Sequence, residues 1–186
     1  MTLVSGWSPS GRGVLAGFAG ALFVFSITHF LLLPGTLPDV MSKNGDQKIL
    51  DLQPVFSSDS VYQRLSSFGQ AGREAYLQMM LTMDILFPVV FTTFLILLAL
   101  YTVGRAGPGR TTQLLLLLLP LGYFIPDLAE NFSIAWIIRN YPDRYDGLAG
   151  SLGYITTVKR LFMYAALALP LVLLFLNLLS RRSRST

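Results

Sequence analysis

The chain has 186 residues, a formal net charge of +4 and no cysteine. Hydrophobic residues make up 53% and charged residues only 13%, well under the roughly 25% charged content of a soluble domain. This excludes an ordinary soluble fold. The basic residues are scattered rather than gathered into the patch a nucleic acid requires, and the lack of thiols removes disulfides, thiolate metal sites and S-palmitoylation together.

Four apolar segments, at about 13–33, 82–103, 112–138 and 154–179, each reach the roughly 20 residues needed to cross about 30 Å of hydrocarbon. Alternating short strands are missing, so helices are the expected spanning form. The predicted fold is all-α: one domain, 1–186, a polytopic four-helix transmembrane bundle. Its long non-cytoplasmic loop, 34–72, carries a short amphipathic helix.

In chain order, 1–12 is a Ser- and Gly-rich tail. The first apolar segment is too long for a signal-peptide core and lacks a small-x-small cleavage site, so an uncleaved first span is expected. Gly13, Gly17 and Ala21 recur every four residues, a small-residue seam for close approach of a neighbouring helix and a candidate homo- or hetero-oligomer face. His29, the only histidine, lies near the far end of this span.

Pro34, Gly35 and Pro38 are expected to close the first helix, with 39–51 irregular. Ser58, Asp59 and Ser60 offer N-cap groups ahead of Val61, Leu65 and Phe68 on one helical face. Gly69 and Gly72 are read as ending that helix. Helix resumes through Arg73, Tyr76 and Met79 into the second span, and the loop is long and apolar enough to act as a lid. In the second span Pro88 has no N–H for the carbonyl of Asp84, four residues back, so a carboxylate and a freed carbonyl lie together.

A tight turn at 104–110 precedes the third span, which holds Asp127, Glu130 and Asn131 at i, i+3 and i+4, on one face. An intramembrane charge costs on the order of 2.5–3.5 kcal/mol on insertion scales, so these groups need partners or a purpose. Gly147, Gly150 and Gly153 suggest a mobile connection. Thr156 or Thr157 is the expected cap of the fourth span, with Lys159 and Arg160 in its first turns. The fourth span ends in Arg181, Arg182 and Arg184, a flank for anionic headgroups.

Arg12, Arg105, Arg110 and the terminal arginines flank one side with no acid among them, which predicts cytoplasmic termini and a plasma (inner) membrane location. Counting from Pro108 in the short turn, Asp84 lies 24 residues before and Asn131 lies 23 after. Antiparallel helices of equal rise therefore place Asp84 level with Glu130 and Asn131, towards the outer end. His29, Lys159 and Arg160 fall in the same layer.

Two roles suit that layer. Carboxylates crowded in a dry site share protons, so Asp127, Glu130 and Asp84, with His29 as shuttle, are candidate acid–base groups for a lipophilic small molecule. Asn131, Tyr76, Arg73, Lys159 and Arg160 are the candidate binding groups. Alternatively, Asp84, Asp127 and Glu130 pair with Lys159, Arg160 or Arg73, with Asn131 and Tyr76 completing the bonds, to fix helix packing, and the protein is a non-catalytic accessory subunit. No metal-ligand spacing such as H-E-x-x-H occurs and no cofactor is implied. Membrane lipids are the expected surroundings.

The set Gly72-Arg-Glu-Ala-Tyr76, Asp84-Ile-Leu-Phe-Pro88, Asp127-Leu-Ala-Glu-Asn131 and Tyr141-Pro142 resembles uncharacterised small bacterial four-span membrane proteins, over about 69–142. The paired D-x-x-F-P and D-L-x-E-N motifs carry the resemblance, which implies the four-helix plan and no activity. More distantly, size and plan are similar to the EXPERA group, which includes sterol isomerases and the sigma-2 receptor and places intramembrane acids around a lipophilic ligand. The D-L-x-E-N block matches no motif of that group, and none of its residues carries over.

Overall fold

Apolar runs of this length leave the backbone no choice in hydrocarbon but to satisfy its own hydrogen bonds, and the chain is helical almost throughout. In the computed structural model, which describes residues 8–183, the helices are α1 (Gly11–Phe30), α2 (Leu37–Lys43), α3 (Ser58–Ser67), α4 (Gly69–Leu81), α5 (Met83–Ala106), α6 (Arg110–Arg139) and α7 (Asp146–Ser183). No strand forms among the described residues. Residues 1–7 of the N-terminal tail and Arg184 of the basic flank lie outside the described residues.

Four helices are long and apolar enough to cross a membrane: α1, the stretch Gly69–Ala106 formed by α4 and α5, α6, and α7. Their outer faces stay apolar and uncovered, with Leu15, Phe23, Leu161, Phe175 and Leu178 each at least 60% exposed. Such a continuous apolar surface is what lipid, not water, tolerates. α6 packs most extensively on α7, and α1 lies against α5. Two of the three residues of the α1 small-residue seam are used inside the chain. Gly17 sits against Leu97 and Phe94 of α5, and Ala21 is buried in a core with Phe94, Leu95, Leu98, Tyr123 and Ala166.

The second core lies at the end of the bundle that holds the 34–72 connection. Val40, Ile49, Val61, Leu65, Tyr76, Met80, Ile137 and Leu152 fill it. α3 buries Val61, Tyr62 and Leu65. It is tied to the α6–α7 connection, where Tyr62 Oη accepts from Tyr145 N (2.6 Å) and donates to the Asp143 carbonyl (3.2 Å).

Several local expectations are corrected. α1 ends at Phe30 rather than 33, where the Thr36 hydroxyl accepts from Leu33 N (3.2 Å) and has the Leu31 and Leu33 carbonyls (each 2.7 Å) as acceptors for its one proton, holding a turn. The start of the 39–51 stretch is not irregular. It belongs to α2, which has proline in its first turn, and Asp39 there accepts from Gly35 N (3.2 Å) and pairs with Lys43 at 2.8 Å. Gly72 does not end α3 but lies inside α4, where a Cβ would come within 2.9 Å of Asn44 Cβ, so its lack of a side chain lets the end of α2 rest on α4. Nor is 147–153 a mobile connection. α7 begins at Asp146 and runs through all three glycines. At Gly153 a Cβ would meet the Val55 carbonyl and the Phe56 ring at 2.7 Å, and Gly153 N donates to that carbonyl (3.0 Å). The glycine is a docking point for the loop. Thr156 and Thr157 are therefore mid-helix, and Lys159 lies about four turns into α7 rather than in its first turns.

Candidate functional site

α6 presents Asp127, Glu130 and Asn131 on its buried face, at 5%, 0% and 2% exposure. Asn131 finds its partner on α5, and Asp127 and Glu130 find theirs on α7. Asn131 Nδ2 donates to the Asp84 carbonyl, the one that Pro88 leaves without its helical partner. Lys159 Nζ of α7 sits 3.0 Å from Asp127 Oδ1 and is also ion-paired with Glu130 Oε2. The Thr156 hydroxyl lies between the Glu130 carboxylate and the Leu152 carbonyl. One ammonium thus serves two buried carboxylates, and in low dielectric such pairs hold only while hydrogen bonds complete their shells.

Beside this triad is a cavity of about 230 Å³. His29 of α1, Asp84 and Phe87 of α5, Tyr123 and Asp127 of α6, and Lys159, Arg160 and Met163 of α7 line it, together with Asp51 and Leu52 of the loop. The loop is held there from two sides. Tyr76 Oη donates to Asp51 Oδ1 (2.9 Å) and accepts from Leu50 N (3.2 Å), while Arg160 donates to the Asp51 (2.7 Å) and Leu52 (3.1 Å) carbonyls. His29 stacks on Phe25 at 4.0 Å, with Nδ1 against the Phe25 carbonyl (3.1 Å).

Among the described residues, Asp127 Oδ2 is buried without a hydrogen-bond partner. The half-buried Asp84 carboxylate faces the same cavity. No group of three or more His, Asp or Glu side chains among the described residues is placed to hold a metal ion.

A second hollow adjoins the first. It is an apolar groove of about 250 Å³ between α1, α5 and α7, walled by Phe18, Ala21, Leu22, Phe25 and Phe91, with no polar surface. Phe87 and Met163 line both hollows.

Of the residues singled out in the sequence, His29, Asp84, Asp127, Lys159 and Arg160 surround the cavity, and Glu130 and Asn131 support it from α6. Three partner assignments differ. Arg160 binds loop carbonyls, not a span carboxylate, because the loop end comes to it. Tyr76 bonds Asp51 and Leu50 instead of the α5 and α6 acids. Arg73 is remote, donating to the Leu65 carbonyl (3.0 Å) and lying over the Tyr141 ring at 4.2 Å. Asp51, Thr156 and the phenylalanine groove were missed. Asp51 lies in irregular chain with no periodicity to mark it, and Thr156 looked like a helix cap. No protein-family model, curated protein or solved structure matches the chain.

Proposed function

We propose that this chain is an integral membrane protein that binds a lipophilic small molecule, or performs acid–base chemistry on it. The polar group of the ligand lies in the acidic cavity and its apolar body in the groove. One observation carries the reading: a polar cavity and a wholly apolar groove share the walls Phe87 and Met163. Ligand sites are mostly apolar with a few placed polar groups, and this pair of hollows has that division. Asp84 is the group that accepts a hydrogen bond or proton from the ligand. Asp127 and Glu130 are poised through Lys159, and His29 stands at the cavity wall as the second titratable partner. The 34–72 connection acts as the lid, its Asp51–Leu52 corner closing the cavity.

The membrane orientation is part of the proposal. Ser8 beside Gly104, and Asn177 and Arg181 on the Arg105 carbonyl, mark one end of the bundle, and this is the basic end. With arginines gathered there, both termini face the cytoplasm of a plasma (inner) membrane. The cavity then lies towards the outer leaflet.

A second reading, an accessory subunit with a structural acidic cluster, is favoured by the closed Lys159–Asp127–Glu130 triad. Asp127 Oδ2 favours the binding reading, since a purely structural cluster has no use for a buried carboxylate oxygen that it leaves without a hydrogen bond. Mass spectrometry of the lipid extract from the purified protein is the test, run beside Met163→Trp, which blocks the junction of cavity and groove. A near-stoichiometric lipophile in the wild type that is lost in the variant is expected. A wild-type extract holding only bulk membrane lipids, or a lipophile retained by the variant, refutes the binding reading.

A further inference from the structure

The charge arrangement inside the cavity bears on the head group of the ligand, given the binding reading above, on which this step rests. Four carboxylates, those of Asp51, Asp84, Asp127 and Glu130, stand in or directly behind the cavity wall against two fixed cations, Lys159 and Arg160. The cations are engaged: Lys159 lies between Asp127 and Glu130, and Arg160 holds the Asp51 and Leu52 carbonyls. What remains unmet is acceptor capacity at Asp127 Oδ2, on a residue only 5% exposed, with the half-buried Asp84 carboxylate facing the same cavity. A buried acceptor left without a donor is costly, and an added anion would increase the excess of negative charge. Donors relieve both.

We infer that the site selects amphiphiles whose head donates hydrogen bonds, an ammonium or a hydroxyl, and turns away carboxylate and phosphate heads. The head bridges Asp84 and Asp127, opposite the face that Lys159 occupies. The hydrocarbon runs past Phe87 and Met163 into the groove, against Phe18, Phe25 and Phe91. A groove open along the sides of α1 and α7 admits such a molecule laterally from the bilayer, with its chain never leaving an apolar medium.

The test uses the full chain in nanodiscs of zwitterionic lipid and a radiolabelled long-chain primary amine. The alcohol and the carboxylate of the same chain length are the competitors. Saturable amine binding, with the carboxylate at least about tenfold weaker, is expected; tenfold corresponds to about 1.4 kcal/mol. An alcohol that competes as well as the amine itself assigns a hydroxyl head, and a weaker one assigns an ammonium; either supports donor selection. Asp84→Asn should weaken the amine about tenfold more than the alcohol, whereas Met163→Trp should weaken every probe alike. A carboxylate that competes as well as the amine overturns the selectivity using the wild type alone, so the result does not depend on a variant folding. If no probe binds saturably, the binding reading fails with it, and that outcome is distinct from saturable binding without selection.

Discussion

Lys159→Met leaves the aliphatic stem in place and removes the only ion-pair partner that Asp127 and Glu130 have among the described residues. The size of the effect follows from burial. The Asp127 and Glu130 side chains are 8% and 1% exposed and Lys159 is 13% exposed, so water does not screen the loss. An exposed pair would contribute about 0–1 kcal/mol. Removing one member of a buried pair costs about 3–5 kcal/mol, because the stranded charge must be neutralised or hydrated in place. Here two carboxylates are stranded together on one face of α6, which puts the expectation at the upper part of that range. For a chain of this size, 1 kcal/mol moves the unfolding midpoint by about 2–4 °C, so a fall of roughly 8–20 °C in detergent is expected. Adding Asp127→Asn and Glu130→Gln to the Lys159→Met background should recover most of it, since neutral groups of the same shape keep the Thr156 bond and no longer need the ammonium. Thermal unfolding of the wild type, the single variant, the double and the triple gives the cycle. A single variant within about 1 kcal/mol of wild type, or amide substitutions that cost as much without Lys159 as with it, would refute a mutually dependent triad.

Two further outcomes concern the loop. Gly153→Ala places a Cβ 2.7 Å from the Val55 carbonyl, so segment 53–57 must lift from α7. Overpacking of this kind costs about 1–3 kcal/mol, and faster amide exchange at 50–57 with unchanged exchange in α5 and α6 is the expected signature; unchanged exchange at 50–57 would count against the docking role. At Asp39, burial works against ionisation, but the Lys43 ammonium and the Gly35 N–H outweigh it and hold the carboxyl below the usual range. A folded-state pKa below the unfolded one stabilises above the unfolded value, about 3.9, and the contribution is lost as pH falls through the folded value. Between pH 5 and pH 3 the wild type should therefore lose more stability than Asp39→Asn, and parallel curves would refute the linkage.

What could be read from the sequence follows from what is costly in a membrane. Polar groups in an apolar helix are few, and each needs a partner, so their depths carry information. The short turn joining α5 to α6 makes depth countable, and Asn131 does reach the Asp84 carbonyl across that register. The true start of α7 at Asp146 escaped notice because Gly147, Gly150 and Gly153 look like breakers at about 1 kcal/mol each. The close approach of Val55 and Phe56 at Gly153 sets the value of a missing side chain there, and no local pattern contains that contact. Asp51 escaped for the same reason, since its place is set by Tyr76 and Arg160, 25 and 109 residues away. The groove was hidden differently. A phenylalanine facing lipid and one facing an internal groove are both simply apolar, so Phe18, Phe25, Phe87 and Phe91 give no sign in one dimension of which way they face. Residue costs in a bilayer therefore mark the head-group half of the candidate site and are silent about the half that would hold the chain. The link between the halves, Phe87 one helical turn after Asp84 and Met163 one turn after Lys159, emerges only when α5 and α7 are laid side by side.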